Sequence, residues 1–251
     1  MNIGDLLNEY ILDKIGTNYR LITHKIDQPY YLFIGSLVQP TYCNSFAIIC
    51  GSGYFLENES VTIGEIKYVR GKLTRKKLIE MGYMCPELYG DPGLIISTLY
   101  SQKSRSMPMI CYTPHVSDNA YYDENNIPGT IYLSTYDIES VLDQIANTTY
   151  LVSSSLHGII IAHSYGKKAI WVNLWDNGIL HNDSIKFHDY YSSLDLSVTP
   201  YDIRQFFLLN DEEKIDLIEK YPNPDTATIH RLIDVIMNNT PFFSSKILQK
   251  I

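Results

Sequence analysis

Apolar positions in 4–15 fall where one face of a helix would put them. Leu6, Leu7, Tyr10, Ile11 and Ile15 recur at helical spacing with polar residues between. The pattern then changes. Tyr31-Leu32-Phe33-Ile34 and Phe46-Ala47-Ile48-Ile49-Cys50 are short continuous apolar runs, and the second ends in the small-residue turn Gly51-Ser52-Gly53. Such runs predict buried strands of an α/β sheet. Residues 66–70 (IKYVR) predict a further strand ending at Arg70, and Thr74 then caps a predicted helix, RKKLIEMG, stopped by Gly82. Asp91-Pro92-Gly93 is a turn leading into apolar Leu94-Ile95-Ile96.

Beyond a polar stretch at 99–107, Pro108 to Tyr112 predicts a strand leading to Pro114-His115, and 130–133 (TIYL) a short strand. In 137–146, Ile138, Val141, Leu142 and Ile145 share one helix face. The clearest unit follows. Tyr150-Leu151-Val152 is a strand, Ser153-Ser154-Ser155 a turn, Leu156 to Tyr165 a helix ended by Gly166, and Ala169 to Val172 the next strand. This βαβ order implies a parallel sheet. Helices are predicted from Asp211 to Lys220 and from Asp225 or Thr226 onward, the latter burying Ile229, Leu232, Ile233 and Ile236. The economical architecture is two α/β halves, 1–102 and 103–251, with helical closure and 99–107 as linker.

Length fits between one and two domains, since 251 residues compare with about 150 per domain. Hydrophobic residues make up 45% and charged residues 19%, which permits a buried core and excludes disorder as a whole-chain description. A formal charge of -8 excludes a broad basic face for nucleic acid. An anionic ligand therefore needs a local cluster of donors working against the global field. Cys43, Cys50, Cys85 and Cys111 form no CxxC pair and read as buried thiols of a reducing compartment. The first twenty residues carry Asp5, Glu9 and Asp13 without an apolar core, so no signal peptide is expected. No apolar run approaches the roughly 20 residues a bilayer needs. The chain reads as soluble and cytoplasmic, with contact to a membrane face left open by a lipid-linked substrate.

Four positions carry candidate chemistry. The turn Ser153-Ser154-Ser155 opening a helix at Leu156-His157 gathers N–H groups and hydroxyls, an anion site by geometry and helix dipole. His157 in its first turn can donate to a phosphate or shuttle a proton. The structural alternative is a serine cap beside a packed histidine, and the pattern leaves both open. Arg70 stands at a strand's C-terminal end, where open α/β sheets bind ligands, or makes a surface ion pair. Gly53 lines a cleft or merely turns the chain. Asn2 and Asp5 precede the first helix, where Asp5 is a cap or, with Asn2, a group for sugar hydroxyls. His115 sits in a loop at a strand end, whereas His163, further along the Leu156 helix, reads as structural. No histidine pair, including His181 and His188, has metal-ligand spacing, so no metal is expected.

In this order the segments NIGDLLN, AIICGSG, YVRGKLTRKKLIEMG, GDPGLI, PHVSD, LVSSSLHGIIIAHSYGKKAIWV and IKFHDYY resemble the polysaccharide pyruvyl transferase family over residues 2–191. The resemblance implies a glycosyltransferase-B-like fold, two Rossmann-like domains facing a cleft, with the acceptor on the side of 1–102 and the donor on the side of 103–251. It implies transfer of pyruvate from phosphoenolpyruvate onto two hydroxyls of a saccharide, giving a cyclic ketal, in surface polysaccharide biosynthesis of the bacterial type. By resemblance Arg70, Ser154, Ser155, Leu156, His157 and His115 hold the donor, with phosphoenolpyruvate a co-substrate and no cofactor. Asn2, Asp5 and Gly53 face the acceptor, which can be lipid-linked at the inner face of a membrane. His157 serves as the acid/base with a pKa near neutrality, and Asp5 eases positive charge at the reacting carbon.

One departure is visible. Many relatives have Arg directly before the Leu-His pair, where this chain has Ser155. A charge-assisted hydrogen bond contributes about 1.5–3 kcal/mol, so another cation must substitute, and Arg75, Lys167, Lys168 and Lys186 are the candidates. Two alternatives stay in view: a nucleotide-sugar glycosyltransferase of the same fold, whose diphosphate the same helix start could hold, and a non-catalytic saccharide-binding relative, which the Ser155 departure motivates.

Overall fold

The computed structural model describes residues 3–54, 59–174 and 184–243. Asn2, His181 and most of the loop before the IKFHDYY segment lie outside them. The elements are α1 (Ile3–Ile15), β1 (Tyr30–Leu32), β2 (Ala47–Cys50), β3 (Glu65–Tyr68), α2 (Lys72–Glu80), a 3-10 turn (Pro92–Ile95) running into α3 (Ile96–Leu99), β4 (Ile110–Thr113), α4 (Asn119–Glu124), α5 (Ile138–Asn147), β5 (Tyr150–Ser153), α6 (Leu156–Ser164), β6 (Lys168–Asn173), α7 (Ser184–Ser193), β7 (Tyr201–Asp202), α8 (Ile203–Leu208), α9 (Asp211–Lys220) and α10 (Thr226–Asn239).

The strands form two parallel sheets, β1-β2-β3 and β4-β5-β6-β7. This is a mixed α/β protein of Rossmann-like construction. In the second sheet the two-residue period sends Leu151, Ala169 and Trp171 to one face, and Val152, Ile170 and Val172 to the other. Both faces are covered, as a parallel sheet requires. The larger core continues into the first sheet through Ile49 and Tyr68. Helix α6 is buried nearly all round, from Ile159 to His163, because it lies between the sheet, α5 and the Pro92–Ile95 turn. A Cβ on Gly158 would sit 2.5 Å from Thr113 Oγ1, so only glycine lets α6 start this close to the strand ends.

Several local expectations change. Thr74 does not cap α2. The N-cap is Gly71, which has no side chain to offer, and α7 caps the helix in trans. Asp189 Oδ1 accepts from Thr74 N (2.8 Å) and Ser192 Oγ from Lys72 N (2.8 Å), so the helix begins earlier. Residues 130–133 make one bridge, Thr130 to Tyr112, rather than a strand. Gly129 (φ 79°) turns the chain onto the edge of β4 for a single paired residue. Helices α4, α7 and α8 had no counterpart in the periodicity. The stretch 101–108 is irregular, and all four cysteines are free and buried.

Candidate active site

The site forms where the C-terminal ends of β4 and β5 meet α1 and α6. Helix α1 is fixed first. Asn8 clamps it to the strand end, accepting from Ile34 N (3.0 Å) and donating to Ile34 O (3.2 Å). This holds Gly4 directly over His157, since a Cβ on Gly4 would lie 2.4 Å from Cε1 of the imidazole. His157 is half-buried, yet its Nε2 is out of solvent and has no hydrogen-bond partner. Burial, and then the charges of Lys186, Arg70 and His115, depress its pKa from 6.5 to about 3. The expected near-neutral acid/base is therefore a neutral imidazole here, because every charged neighbour that acts on it is cationic or becomes so.

Arg70 leaves β3 and is buried to 1% exposure. Its Nε donates to Asp189 Oδ2 (3.0 Å), Nη1 to Ser36 Oγ (2.8 Å) and Nη2 to Tyr54 O (3.1 Å). Three of the five guanidinium N–H groups are thus engaged. Gly53 packs against the guanidinium, with a notional Cβ 2.4 Å from Nη2, so it serves Arg70 directly. Asp189 also accepts from Thr74 Oγ1 (2.7 Å), and Thr74 Oγ1 accepts from Tyr54 N (3.1 Å). The ring of bonds closes on itself, which is what a buried ion pair needs to offset desolvation. On the other side of α7, Phe187 stacks on Trp171 at 4.3 Å between centroids. Helix α7 therefore joins both sheets and carries Lys186 to a place where its charge reaches His157.

The serines divide by role. Ser153 Oγ bonds Thr113 O (2.9 Å) and Ser155 O (2.8 Å) and shapes the turn. Ser154 Oγ donates to Asp118 Oδ2 (2.5 Å) and accepts from His115 N (2.8 Å). Ser155 is the N-cap of α6 without a side-chain capping bond, and Leu156 is core. What remains at the helix start is backbone N–H and the His157 ring. Asp5 is exposed on the first turn of α1 and makes no hydrogen bond or ion pair among the described residues. Of the four candidate cations, Lys186 is the one whose charge acts on His157, while Arg75 bonds Cys85 O (3.2 Å) and Lys168 pairs with Glu219.

The sequence reading passed over three carboxylates. Asp189 is one. Asp118 is another, in the PHVSD segment. The third, Asp91, is fully buried, with Oδ1 accepting from Gly93 N (2.9 Å) and Oδ2 unpartnered. Burial raises its pKa to about 6 against the opposing charge of Arg70. Each lies inside a recognisable motif, but only its surroundings mark it. Among the described residues no group of three or more His, Cys, Asp or Glu is gathered to hold a metal, and no helix is long and apolar enough to cross a membrane.

This is a Rossmann-like α/β protein that places, at its strand ends and at a helix start, an imidazole whose Nε2 has no hydrogen-bond partner and on which cationic charges act. Residues 68–177 match the model of the family described as Polysaccharide pyruvyl transferase. An uncharacterized protein of Acanthamoeba polyphaga mimivirus is 30% identical over 209 residues, covering 76% of this chain and 70% of the relative. No solved structure matches. The chain belongs to the polysaccharide pyruvyl transferase family.

Proposed function

We propose that the protein transfers pyruvate from phosphoenolpyruvate to two hydroxyls of one saccharide, forming a cyclic ketal and releasing phosphate. The two sheets would act as the two halves of a glycosyltransferase-B-like enzyme, donor on the side of α6 and acceptor on the side of α1. The observation that carries this reading is the buried, unpartnered Nε2 of His157 at the start of α6, with the charges of Lys186, Arg70 and His115 acting on the ring. Phosphoenolpyruvate brings a phosphate and a carboxylate, and such groups want guanidinium, ammonium and helix N–H donors together. Lys186 takes the place of the arginine that Ser155 replaces. When the anion binds, the cations that now repel a proton from His157 are compensated, and the ring becomes easier to protonate.

The chemistry closes on these groups. The first hydroxyl adds to the enol carbon while the methylene carbon gains a proton. Phosphate then leaves, and the second hydroxyl adds to the same carbon. Of the two hydroxyl protons, one ends on the methyl group and one on phosphate. Asp5, exposed at the start of α1, meets the acceptor and eases the positive charge that develops as phosphate departs.

The test is acceptor-dependent phosphate release from phosphoenolpyruvate by the purified full chain across a panel of free and lipid-linked saccharides. Release with at least one acceptor, lost in His157→Ala, is expected. No release across the panel, together with thermal stabilisation by a nucleoside diphosphate but not by phosphoenolpyruvate, overturns the reading in favour of a nucleotide-sugar enzyme.

A further inference from the structure

Arg70 is walled off from solvent by most of what it touches. Asp189 and Tyr54, which accept from its guanidinium, and Gly53, which packs on it, are all buried. The remaining partner is different. Ser36 is half-buried, and its Oγ accepts from Arg70 Nη1 at 2.8 Å. Among the described residues bonded to the guanidinium, Ser36 is thus the one through which the network reaches the surface.

The backbone that carries Ser36 is fixed on both sides. Ser52 Oγ donates to Gly35 O (2.7 Å) and accepts from Leu37 N (2.9 Å), and Gly53 N donates to Gly35 O (3.2 Å). Gly35 takes φ 119°, a conformation that favours glycine. One residue earlier, Ile34 is clamped to Asn8 of α1, whose Gly4 lies over the His157 ring. The charge of Arg70 acts on that same ring. The loop is therefore held between the start of α1 and Arg70, and both of these bear on His157. A hydroxyl has one hydrogen and can accept as well. Arg70 uses the oxygen, and Ser36 Oγ makes no other hydrogen bond among the described residues. Its hydrogen is left to donate outward, and accepting from a cation polarises the O–H bond and strengthens it as a donor.

We propose that Ser36 is a further donor-binding residue, whose hydroxyl donates to an anionic oxygen of the bound donor, and that Arg70 is the positioning residue that orients and polarises it. This rests on the ketal-forming reading above, which makes that donor phosphoenolpyruvate. Ser36 follows β1 of the first sheet and His157 follows β5 of the second, so the anion is gripped from both sheets at once. Arg70 then serves the donor at one remove. Its hydrogen bond is passed on by a hydroxyl rather than made by the guanidinium itself, which stays in its ring of bonds with Asp189 and Thr74.

Calorimetric titration of the full chain with phosphoenolpyruvate, and separately with inorganic phosphate, tests the contact, and urea midpoints follow the fold. Ser36→Ala should weaken phosphoenolpyruvate binding about tenfold or more, and Ser36→Thr, which restores a hydroxyl, should recover most of it. Ser36→Asp separates ligand contact from structure. Its carboxylate still accepts from Arg70, so the urea midpoint should hold, but it has no hydrogen to give and sets negative charge against the anion. Its loss of affinity should therefore exceed that of Ser36→Ala, the opposite of what a purely structural serine would show. Parent-like affinity in either Ser36→Ala or Ser36→Asp overturns the proposal. A parent protein that binds inorganic phosphate but not phosphoenolpyruvate, with the same order of losses across the variants, sinks the ketal-forming reading and leaves the Ser36 contact standing. A parent protein that binds neither anion overturns both.

Discussion

Two histidines on α6 share a helix and little else. His163 is 1% exposed and fully satisfied, with Nδ1 2.9 Å from the Tyr190 hydroxyl and Nε2 3.1 Å from Asn223 Oδ1. Asn223 Oδ1 accepts from Ala169 N as well, so Nε2 donates and Nδ1 accepts from Tyr190. His157 has the same residue type and a similar burial-driven depression, to about 3 against about 4 for His163, but its Nε2 has no partner. A lowered pKa therefore does not separate structure from function here. The unmet hydrogen bond is the difference between them: Nε2 of His157 has room for a further partner where His163 has none, a property it shares with other buried polar atoms such as the Tyr122 and Tyr191 hydroxyls.

The sharpest way to break this contrast is to truncate both. His163→Ala leaves the Tyr190 hydroxyl without its buried partner and opens a cavity, and should cost about 3–4 kcal/mol. His157→Ala orphans nothing and should cost about 1 kcal/mol or less, while abolishing phosphoenolpyruvate binding. Urea midpoints measure the first difference and calorimetric titration the second. Equal stability losses would mean that His157 is a packing residue.

The same division explains what the sequence could reveal. The βαβ unit from Tyr150 to Asn173 was readable because its period, small-residue turn and terminal glycine are all local. Arg70 and His157 stood out because strand ends and helix starts are places where chemistry gathers. Helix α7 was not readable, because its buried side is shared between Trp171 on one sheet and Arg70 and Thr74 beside the other. The cap of α2 failed for the same reason, being supplied from more than a hundred residues away. Asp91, Asp118 and Asp189 look alike in sequence, and only what each one faces separates a buried acid, an acceptor for the Ser117 and Ser154 hydroxyls, and an ion pair.

Asp91 extends the comparison to carboxylates, since Asp189 has three bonds and Asp91 one. With a folded pKa of about 6 against an ordinary 3.8, Asp91 keeps a proton that the unfolded chain gives up. Its contribution to stability therefore falls as pH rises from about 4 to about 6, by about 3 kcal/mol in all. His157 and His163 act oppositely, because their depressed values make the fold lose stability as pH falls below 6.5. Asp91→Asn keeps the bond from Gly93 and removes only the acid. It should match the parent near pH 4 and exceed it by up to about 3 kcal/mol at pH 8. A difference between the two proteins that stays flat with pH would show that Asp91 is ionised without cost and has a partner.

The smallest stability effect, and the most selective, is expected at Gly4. A Cβ there would lie 2.4 Å from Cε1 and 2.5 Å from Nδ1 of His157, so the ring must move. Alanine is the better helix former by up to about 1 kcal/mol, which offsets part of the strain within α1. Gly4→Ala should therefore shift the urea midpoint little, while weakening phosphoenolpyruvate binding about tenfold or more, equivalent to about 1.4 kcal/mol. Gly82→Ala is the control. Gly82 has φ 88° and nothing within 4 Å, so its substitution strains the backbone and should cost stability without touching affinity. If Gly4→Ala behaves like Gly82→Ala, the α1 start packs beside His157 without setting its orientation. The unmet bond at Nε2 would then have to be filled from the α6 side alone.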